Sequence, residues 1–352
     1  SLLGLIAMFV MMRVDYRVLR LVSVPLYALA ILLLVAVLVP GLGISVGGSA
    51  RWLRIGPLPA VHPAEFAKFA LIVYLAHWFA ARGSDAGSFR RGFLPFLLIF
   101  GPVVALVLRE PDLGTSSVLG LTAFTMFFLA GANLGQLFLM GAGGLAVVSA
   151  LVLQTGYQLT RVKTFLDPWS DARGEGFHTI QGLLALGLGG LIGTGLGESR
   201  AAGGLFLPNA FNDFIFAVVG EELGLVGACL VIGLFAILVW SGARTALAAP
   251  DTFGALLAAG ITAWLTIQAF INIAVVVVLV PVTGITLPFI SAGGSSLIIS
   301  FAAVGVLLSI SRETGPQGRW VDASADRGRR HGRAHLPGSR RRSVAPRATG
   351  RA

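Results

Sequence analysis

Charge is scarce in this chain. Only 12% of its 352 residues are charged, whereas a soluble domain carries about 25%. Two stretches, 113–160 and 252–311, hold no charged residue, and each is longer than the ~20 residues that cross a bilayer. The short alternating segments of a membrane β-barrel are also missing. These absences exclude a soluble enzyme and predict an all-α polytopic membrane protein.

Cysteine is almost absent as well. Cys229 stands alone inside a predicted span, so no disulfide framework exists. The chain has no cleavable signal peptide and opens without Met inside an apolar run, which predicts a missing N-terminal segment. The glycines between 187 and 197 do not fit the dinucleotide fingerprint, and no segment between spans is large enough to bind ATP. We therefore expect no nucleotide cofactor.

The apolar segments predict about nine transmembrane helices, one of them a fragment. The predicted spans are 1–12 (partial), 21–40, 64–81, 93–108, 114–131, 136–153, 214–241, 254–280 and 293–311.

Basic residues are distributed unevenly along the chain. Residues 312–352 hold 11 Arg against 3 acidic residues, and this composition predicts a disordered tail that lies near anionic lipid rather than one that binds nucleic acid. The short loops on the tail side carry 7 Lys or Arg, and those on the other side carry 3. The positive-inside rule therefore places the tail in the cytoplasm and the long loop 154–213 outside.

The outer loop leads directly to a carboxylate at the mouth of a span. Asp213 lies there, and Glu221 and Glu222 follow about two turns deeper. An ionised group inside a span costs at least ~2.5–3.5 kcal/mol, so it is rarely accidental. The helical angle allows Glu221, but not Glu222, to share a cavity with Asp213. Asp213 is equally able to act as a simple N-cap.

Further polar residues fall on or near the outer side. Glu65 and Lys68 are three residues apart and share a helix face, either as a self-neutralising pair or as the lining of a cavity. Asp112 is placed to N-cap the span that follows it. Trp52 suits an interfacial anchor. The remaining polar candidates on the outer side are cations that suit a phosphate-bearing lipid, namely Arg51, Arg54, Arg109, Arg161 and Lys163.

Cations beside a carboxylate favour group transfer from a lipid-linked phosphate donor, with the carboxylate as general base. A lipid transporter is the alternative, because transporters also place charges within the membrane. The position of Asp213 at the outer mouth, together with the lack of an inverted repeat, favours the enzyme. A scaffold without activity leaves the outer charges unexplained.

Five motifs in order resemble the SEDS family, whose members are FtsW, RodA and SpoVE. The motifs are Gly48 to Pro57, Pro63 to Lys68, Arg109 to Ser116, Asp213 to Gly224 and Pro288 to Ser296. The segments Phe165 to Asp171 and Gly195 to Arg200 look more like FtsW than RodA.

This resemblance implies a ten-helix fold whose first helix is missing here, with a SEDS catalytic domain over 1–311 and the tail over 312–352. It implies a peptidoglycan glycosyltransferase of the bacterial inner membrane that polymerises lipid II at the outer face. A lipid II flippase is the alternative. The implied partners are a class B penicillin-binding protein and other divisome or elongasome proteins.

The resemblance also assigns roles to residues. Asp213 matches the family's essential aspartate and would deprotonate the acceptor hydroxyl, or orient it through Mg²⁺ or Mn²⁺. The positions that match the family's cavity lining are Trp52, Glu65, Lys68 and Asp112. No metal ligands are assigned.

Overall fold

The computed structural model describes residues 2–46, 49–54, 60–154, 156–174, 176–203 and 210–314. It confirms a helical polytopic membrane protein. The predicted disorder of the 312–352 tail falls almost wholly outside the described residues.

Within the described residues, seven helices are long and apolar enough to cross a membrane, and two shorter apolar helices accompany them. The helices are α1 (Leu2–Arg13), α2 (Arg17–Leu38), α3 (Pro63–Arg82), α4 (Leu94–Arg109), α5 (Leu113–Leu129), α6 (Leu134–Gln154), α7 (Gly156–Leu166), α8 (Gly176–Gly189), α9 (Arg200–Gly203), α10 (Ile215–Ala248), α11 (Thr252–Val276) and α12 (Gly294–Glu313). A two-stranded antiparallel sheet, β1 (Gly43–Val46) and β2 (Ser49–Leu53), joins α2 to α3.

Two helices form the centre of the bundle. About two thirds of the apolar window of α3 and of α11 is buried, whereas only 11% of that of α6 is buried. Lipid does not drive helices together by the hydrophobic effect, so close packing has to do so. Gly260 of α11 provides it, because an added Cβ would lie 2.8 Å from Ile72 and Met126.

Helix α10 is broken at Gly224, whose φ of 66° and ψ of −163° are not helical. The segment after α8 fills the break. Thr194 and Gly195 donate their amides to the carbonyls of Glu221 and Glu222, at 2.9 and 3.1 Å. The backbone groups freed by the break are thus paired within the protein, as non-helical backbone at membrane depth requires.

The span predicted to reach 280 ends as a helix at Val276. Val278 adopts φ 56°, and the amide of Leu279 donates to the carbonyl of Ala274 at 2.7 Å. This is the left-handed C-terminal turn that usually takes glycine. The chain then runs without helix to Gly294, and this linker returns across the bundle towards the turn that precedes α10.

Candidate functional site

A cavity of about 150 Å³ opens where β2, the first turns of α3 and α5, the turn before α10, the linker after α11 and the start of α12 meet. Polar and charged side chains supply much of its wall. It brings together six of the predicted site residues: Arg51, Trp52, Glu65, Lys68, Asp112 and Asp213.

Asp213 sits in the turn that leads into α10. The N-cap of that helix is Phe214, without a side-chain capping bond, so Asp213 is not the cap that the sequence allowed. Its carboxylate faces the cavity beside Gly284 of the linker. Burial raises the pKa of Asp213 from 3.8 to about 6, and the positive charge of Arg161 offsets part of that rise. The carboxylate is therefore ionised at neutral pH and more basic than an exposed aspartate.

Lys68 and Glu65 form a buried ion pair in the wall of the cavity. Lys68 Nζ lies 2.9 Å from Glu65 Oε1 and 2.6 Å from Gln268 Oε1. The ammonium also lies 5.3 Å from the ring centre of Trp264, a cation–π distance. The two interpretations of this pair are thus compatible, because the residues neutralise each other and also line the cavity.

Asp112 caps α5, as the sequence predicted. Its Oδ1 accepts from Thr115 N at 2.9 Å, and its Oδ2 accepts from Thr115 Oγ1 at 2.7 Å. His62 Nε2 approaches the same carboxylate at 3.8 Å, and Trp52 packs edge-on against the imidazole. Burial lowers the pKa of His62, so the ring is neutral at physiological pH. These contacts hold Trp52 and Asp112 side by side.

Arg51 fixes the turn between α4 and α5. Its Nε donates to the carbonyl of Glu110 at 3.1 Å, and its Nη2 donates to that of Pro111 at 2.6 Å. Neither oxygen of the fully buried Glu110 carboxyl has a hydrogen-bond partner among the described residues. Burial raises the pKa of Glu110 to about 8, and Asp112 adds to the rise. Glu110 is therefore largely protonated at neutral pH.

Four predicted cations lie outside the cavity lining. Arg54, Arg109 and Lys163 are exposed at the surface. Arg161 lines a smaller neighbouring cavity and donates to the carbonyl of Val282 at 3.1 Å. Its charge nevertheless acts on Asp213, so Arg161 remains electrostatically part of the site.

Glu221 does not line the cavity, contrary to the suggestion from helical angles. Its buried carboxylate accepts from Ser199 Oγ at 2.6 Å and from the amides of Arg200 and Ala201 at 2.9 and 3.2 Å. Glu221 thus anchors the end of the outer loop to α10. The angle along one helix could not reveal this partner, which belongs to another segment.

The sequence interpretation missed two amides of α11. Gln268 and Asn272 are four residues apart, so they share a face of the helix, and both are almost completely buried. Gln268 accepts from Lys68, while Asn272 donates to the carbonyl of Asp213 at 2.8 Å. Two amides one turn apart in an otherwise apolar span were the available signal, since polar groups in a membrane span generally have a partner.

The described residues do not build a metal site by themselves. Among them, no three His, Cys, Asp or Glu side chains come together in a way that could hold an ion. Both oxygens of Asp112 are already engaged by Thr115, and Glu65 Oε1 is engaged by Lys68. A divalent cation in this cavity would need most of its ligands from another molecule.

Comparison with known proteins places this site in a family context. A family model described as "Cell cycle protein", for FtsW, RodA and SpoVE, matches residues 1–315. Stage V sporulation protein E of Bacillus subtilis is 46% identical over 310 residues, which are 88% of this chain and 84% of that protein. A probable peptidoglycan glycosyltransferase FtsW of Trichlorobacter lovleyi is 43% identical over 313 residues, with 88% and 81% covered.

Solved structures are similar as well. One, described as "Structural coordination of polymerization and crosslinking by a peptidoglycan synthase complex", matches with a TM-score of 0.73 at 33% identity, covering 89% of this chain and 88% of the other. The rod shape determining protein RodA of Thermus thermophilus matches with a TM-score of 0.63 at 30% identity, covering 89% and 85%. The chain therefore belongs to the FtsW/RodA/SpoVE family, the SEDS proteins.

Proposed function

We propose that this protein is a peptidoglycan glycosyltransferase that polymerises lipid II in the bacterial inner membrane. The observation that carries the proposal is the carboxylate of Asp213, which faces a polar cavity and has a pKa raised towards neutrality by burial. A base with such a pKa suits proton removal from a hydroxyl near pH 7. Relatives named as probable peptidoglycan glycosyltransferases support the same reaction.

In the proposed reaction, Asp213 accepts the proton of the 4-hydroxyl of the acceptor GlcNAc. The acceptor oxygen forms a bond to C1 of the donor MurNAc, while the bond from C1 to the diphosphate oxygen breaks. Undecaprenyl diphosphate leaves with the bonding electron pair. The proton on Asp213 then passes to solvent or to the departing diphosphate, which returns the base to its starting state.

The diphosphate needs positive charge beside the cavity. Lys68 is paired with Glu65, so it adds little net charge to the cavity. Arg51 lines the cavity, and Arg161 lies close enough to act on Asp213. We assign the developing charge of the leaving group to these two guanidinium groups, because guanidinium forms strong bonds to phosphate oxygens. Lys68 then serves mainly to shape the cavity wall.

Mg²⁺ or Mn²⁺ enters this scheme only as an ion carried by the substrate. Mg²⁺ is commonly held by one or two carboxylates together with substrate phosphates. Such an ion would lower the charge of the diphosphate. The proton transfer to Asp213 does not depend on it.

The proposal extends to orientation and partner. We propose that the cavity lies on the outer face and the tail in the cytoplasm, and the charge bias of the short loops supports this orientation. We propose a class B penicillin-binding protein as the transpeptidase partner. The similarity to a chain from a peptidoglycan synthase complex supports this assignment. Whether the protein serves division or elongation would follow from which partner it binds.

The test is polymerisation of fluorescent lipid II by the full-length purified protein, with and without a class B partner and with Mg²⁺, Mn²⁺ or a chelator. We expect a ladder of glycan products on a gel, and its loss in Asp213→Asn. Glu198→Gln is the matched control, because it alters an exposed carboxylate of the neighbouring loop and should keep the ladder.

Two results would contradict the proposal. A normal ladder from Asp213→Asn would remove that carboxylate from the chemistry. If no condition yields polymer while the protein moves lipid II across vesicles, the activity is that of a flippase.

A further inference from the structure

The turn that carries Asp213 is held at three consecutive carbonyl groups. Residues 211–213 each accept one hydrogen bond, from the amide of Ala292, the hydroxyl of Ser291 and the side-chain amide of Asn272, at 2.9, 2.6 and 2.8 Å. Two of the three donors, those of Ser291 and Asn272, are side-chain groups, so a substitution can remove either one. This pattern orients three peptide units in a row and leaves the backbone of Asp213 little freedom to rotate.

Asn272, which bonds the last of these carbonyls, also connects the turn to a second segment. It is 1% exposed on α11, and its second N–H donates to the carbonyl of Ile285 at 2.7 Å. Its Oδ1 has no hydrogen-bond partner among the described residues. The amide thus acts only as a donor, and its two bonds join the Asp213 turn to the linker that also lines the cavity.

Gln268 makes the equivalent connection one turn away on the same helix face. It accepts from Lys68 and donates to the carbonyl of Thr286 at 3.0 Å. The two amides therefore tie the linker to both the Asp213 turn and the Lys68 wall. Gln268 and Asn272 belong to the same helix, so the distance between them along the helix axis is fixed at about 6 Å, the rise of four residues.

We propose that Asn272 is a positioning residue that sets the location of the Asp213 carboxylate in the cavity. This inference rests on the proposed function and deepens it. The Asp213 carboxylate is joined to the backbone through one methylene, so a rotation of its peptide unit moves the carboxylate directly. A misplacement of about 1 Å is enough to cost on the order of 100-fold in rate.

The experiment compares Asn272→Leu with wild type in the lipid II assay. Leu has the same number and branching of side-chain heavy atoms as Asn but no donor, so the carbonyls of Asp213 and Ile285 lose their partner. We expect kcat to fall about 100-fold with KM within about threefold of wild type, because Asn272 does not line the substrate cavity. Thr262→Val is the matched control. Thr262 is a buried polar residue of the same helix whose hydroxyl donates to the carbonyl of Ala258 at 2.7 Å, and its substitution should leave both constants unchanged.

A pH profile separates positioning from a general loss of structure. Burial raises the pKa of Asp213 to about 6. The positive charge of Arg161 lowers this pKa, and the negative charge of Asp112 raises it. If Asn272→Leu releases the turn towards water, the acid limb of kcat should move to lower pH. Ser291→Ala removes the neighbouring donor, so it should shift the limb in the same direction. The double variant should lose less than the product of the two single effects, because both act on one turn.

Two outcomes overturn the inference while wild type remains active. One is an Asn272→Leu enzyme with wild-type kcat, and the other is a loss confined to KM. Should Asn272→Leu fail to fold, Ser291→Ala decides, and an unchanged kcat together with an unchanged acid limb refutes positioning of the turn. Wild type that makes no polymer refutes the proposed function instead.

Discussion

The stability losses from replacing Lys68 and Glu65 one at a time should add up to more than the loss from replacing both residues together. The Nζ–Oε1 distance is 2.9 Å, and the two residues are 2% and 8% exposed. A charge left alone at such a site keeps its desolvation penalty but loses the attraction that offset it. The double variant Glu65→Gln/Lys68→Met leaves no charge there at all.

The two single variants should differ because the partners of the two residues differ. Lys68→Met leaves the carboxylate of Glu65 without a hydrogen bond among the described residues, since Oε2 already has none and Oε1 loses Lys68. We expect a loss of about 3–5 kcal/mol. Glu65→Gln leaves the ammonium with Gln268 Oε1 at 2.6 Å and with the face of Trp264. We expect only about 1–3 kcal/mol there. The double variant should fall short of the sum by about 2 kcal/mol.

The assay is the melting temperature of wild type, the two single variants and the double variant in one detergent. For chains of 150–250 residues, each kcal/mol corresponds to about 2–4 °C, and the shift should be somewhat smaller here. Strict additivity of the two single shifts in the double variant would refute the direct pairing of the charges. A larger shift for Glu65→Gln than for Lys68→Met would refute the assignment of Gln268 and Trp264 as the remaining partners of Lys68.

Three further predictions follow from groups around the site. Polymer formation should fall as the pH drops through about 6, because burial raises the pKa of Asp213 to that value and the base must be ionised; a rate that holds down to about pH 4 would contradict this. Burial raises the pKa of Glu110 from 4.5 to about 8, so the folded state keeps a proton that the unfolded chain loses, and wild-type stability should decline from about pH 4.5 to about pH 8. Glu110→Gln should lack that decline and be at least as stable at pH 7, and melting curves with the same pH slope as wild type would refute it. Gly193→Ala should lower stability by about 1–3 kcal/mol, because its φ is 89° and its Cβ would lie 2.1 Å from the carbonyl of Glu222. The control Gly187→Ala projects into open space and should be neutral or mildly stabilising, and equal melting temperatures for the two variants would contradict this reasoning.

Local rules predicted the features that depend on residues near one another in the chain. The N-cap role of Asp112 needs only its own helix start, and the structure places its carboxylate on the amide of Thr115. The shared face of Glu65 and Lys68 needs only the helical period, and the two side chains meet at 2.9 Å. The motifs that resemble the SEDS family added the catalytic assignment of Asp213, which spacing alone left open beside a capping role.

The remaining features depend on which segments meet in space. The number of cations on the outer side does not predict which of them bind within the protein. Arg51 donates to the carbonyl of Pro111, whereas Arg54 is exposed. The carboxylate of Glu221 is bound by Ser199 and by the backbone amides after Ser199. These partners lie about twenty residues earlier in the chain, so a helical wheel of α10 does not include them. Asn272 lies in a span that hydropathy alone reads as featureless, and its importance appears only when the Asp213 turn lies against it.

The buried amides of α11 pose a question that stability does not answer. Hydrogen bonds between membrane helices contribute only about 0.6 kcal/mol on average, so the gain in stability from each amide is modest. The benefit of Gln268 and Asn272 must therefore be sought in geometry. Both donate to backbone carbonyls of one irregular linker, and one of them also holds the Asp213 turn. An apolar pair could fill the same space, but it could not hold the base in one place.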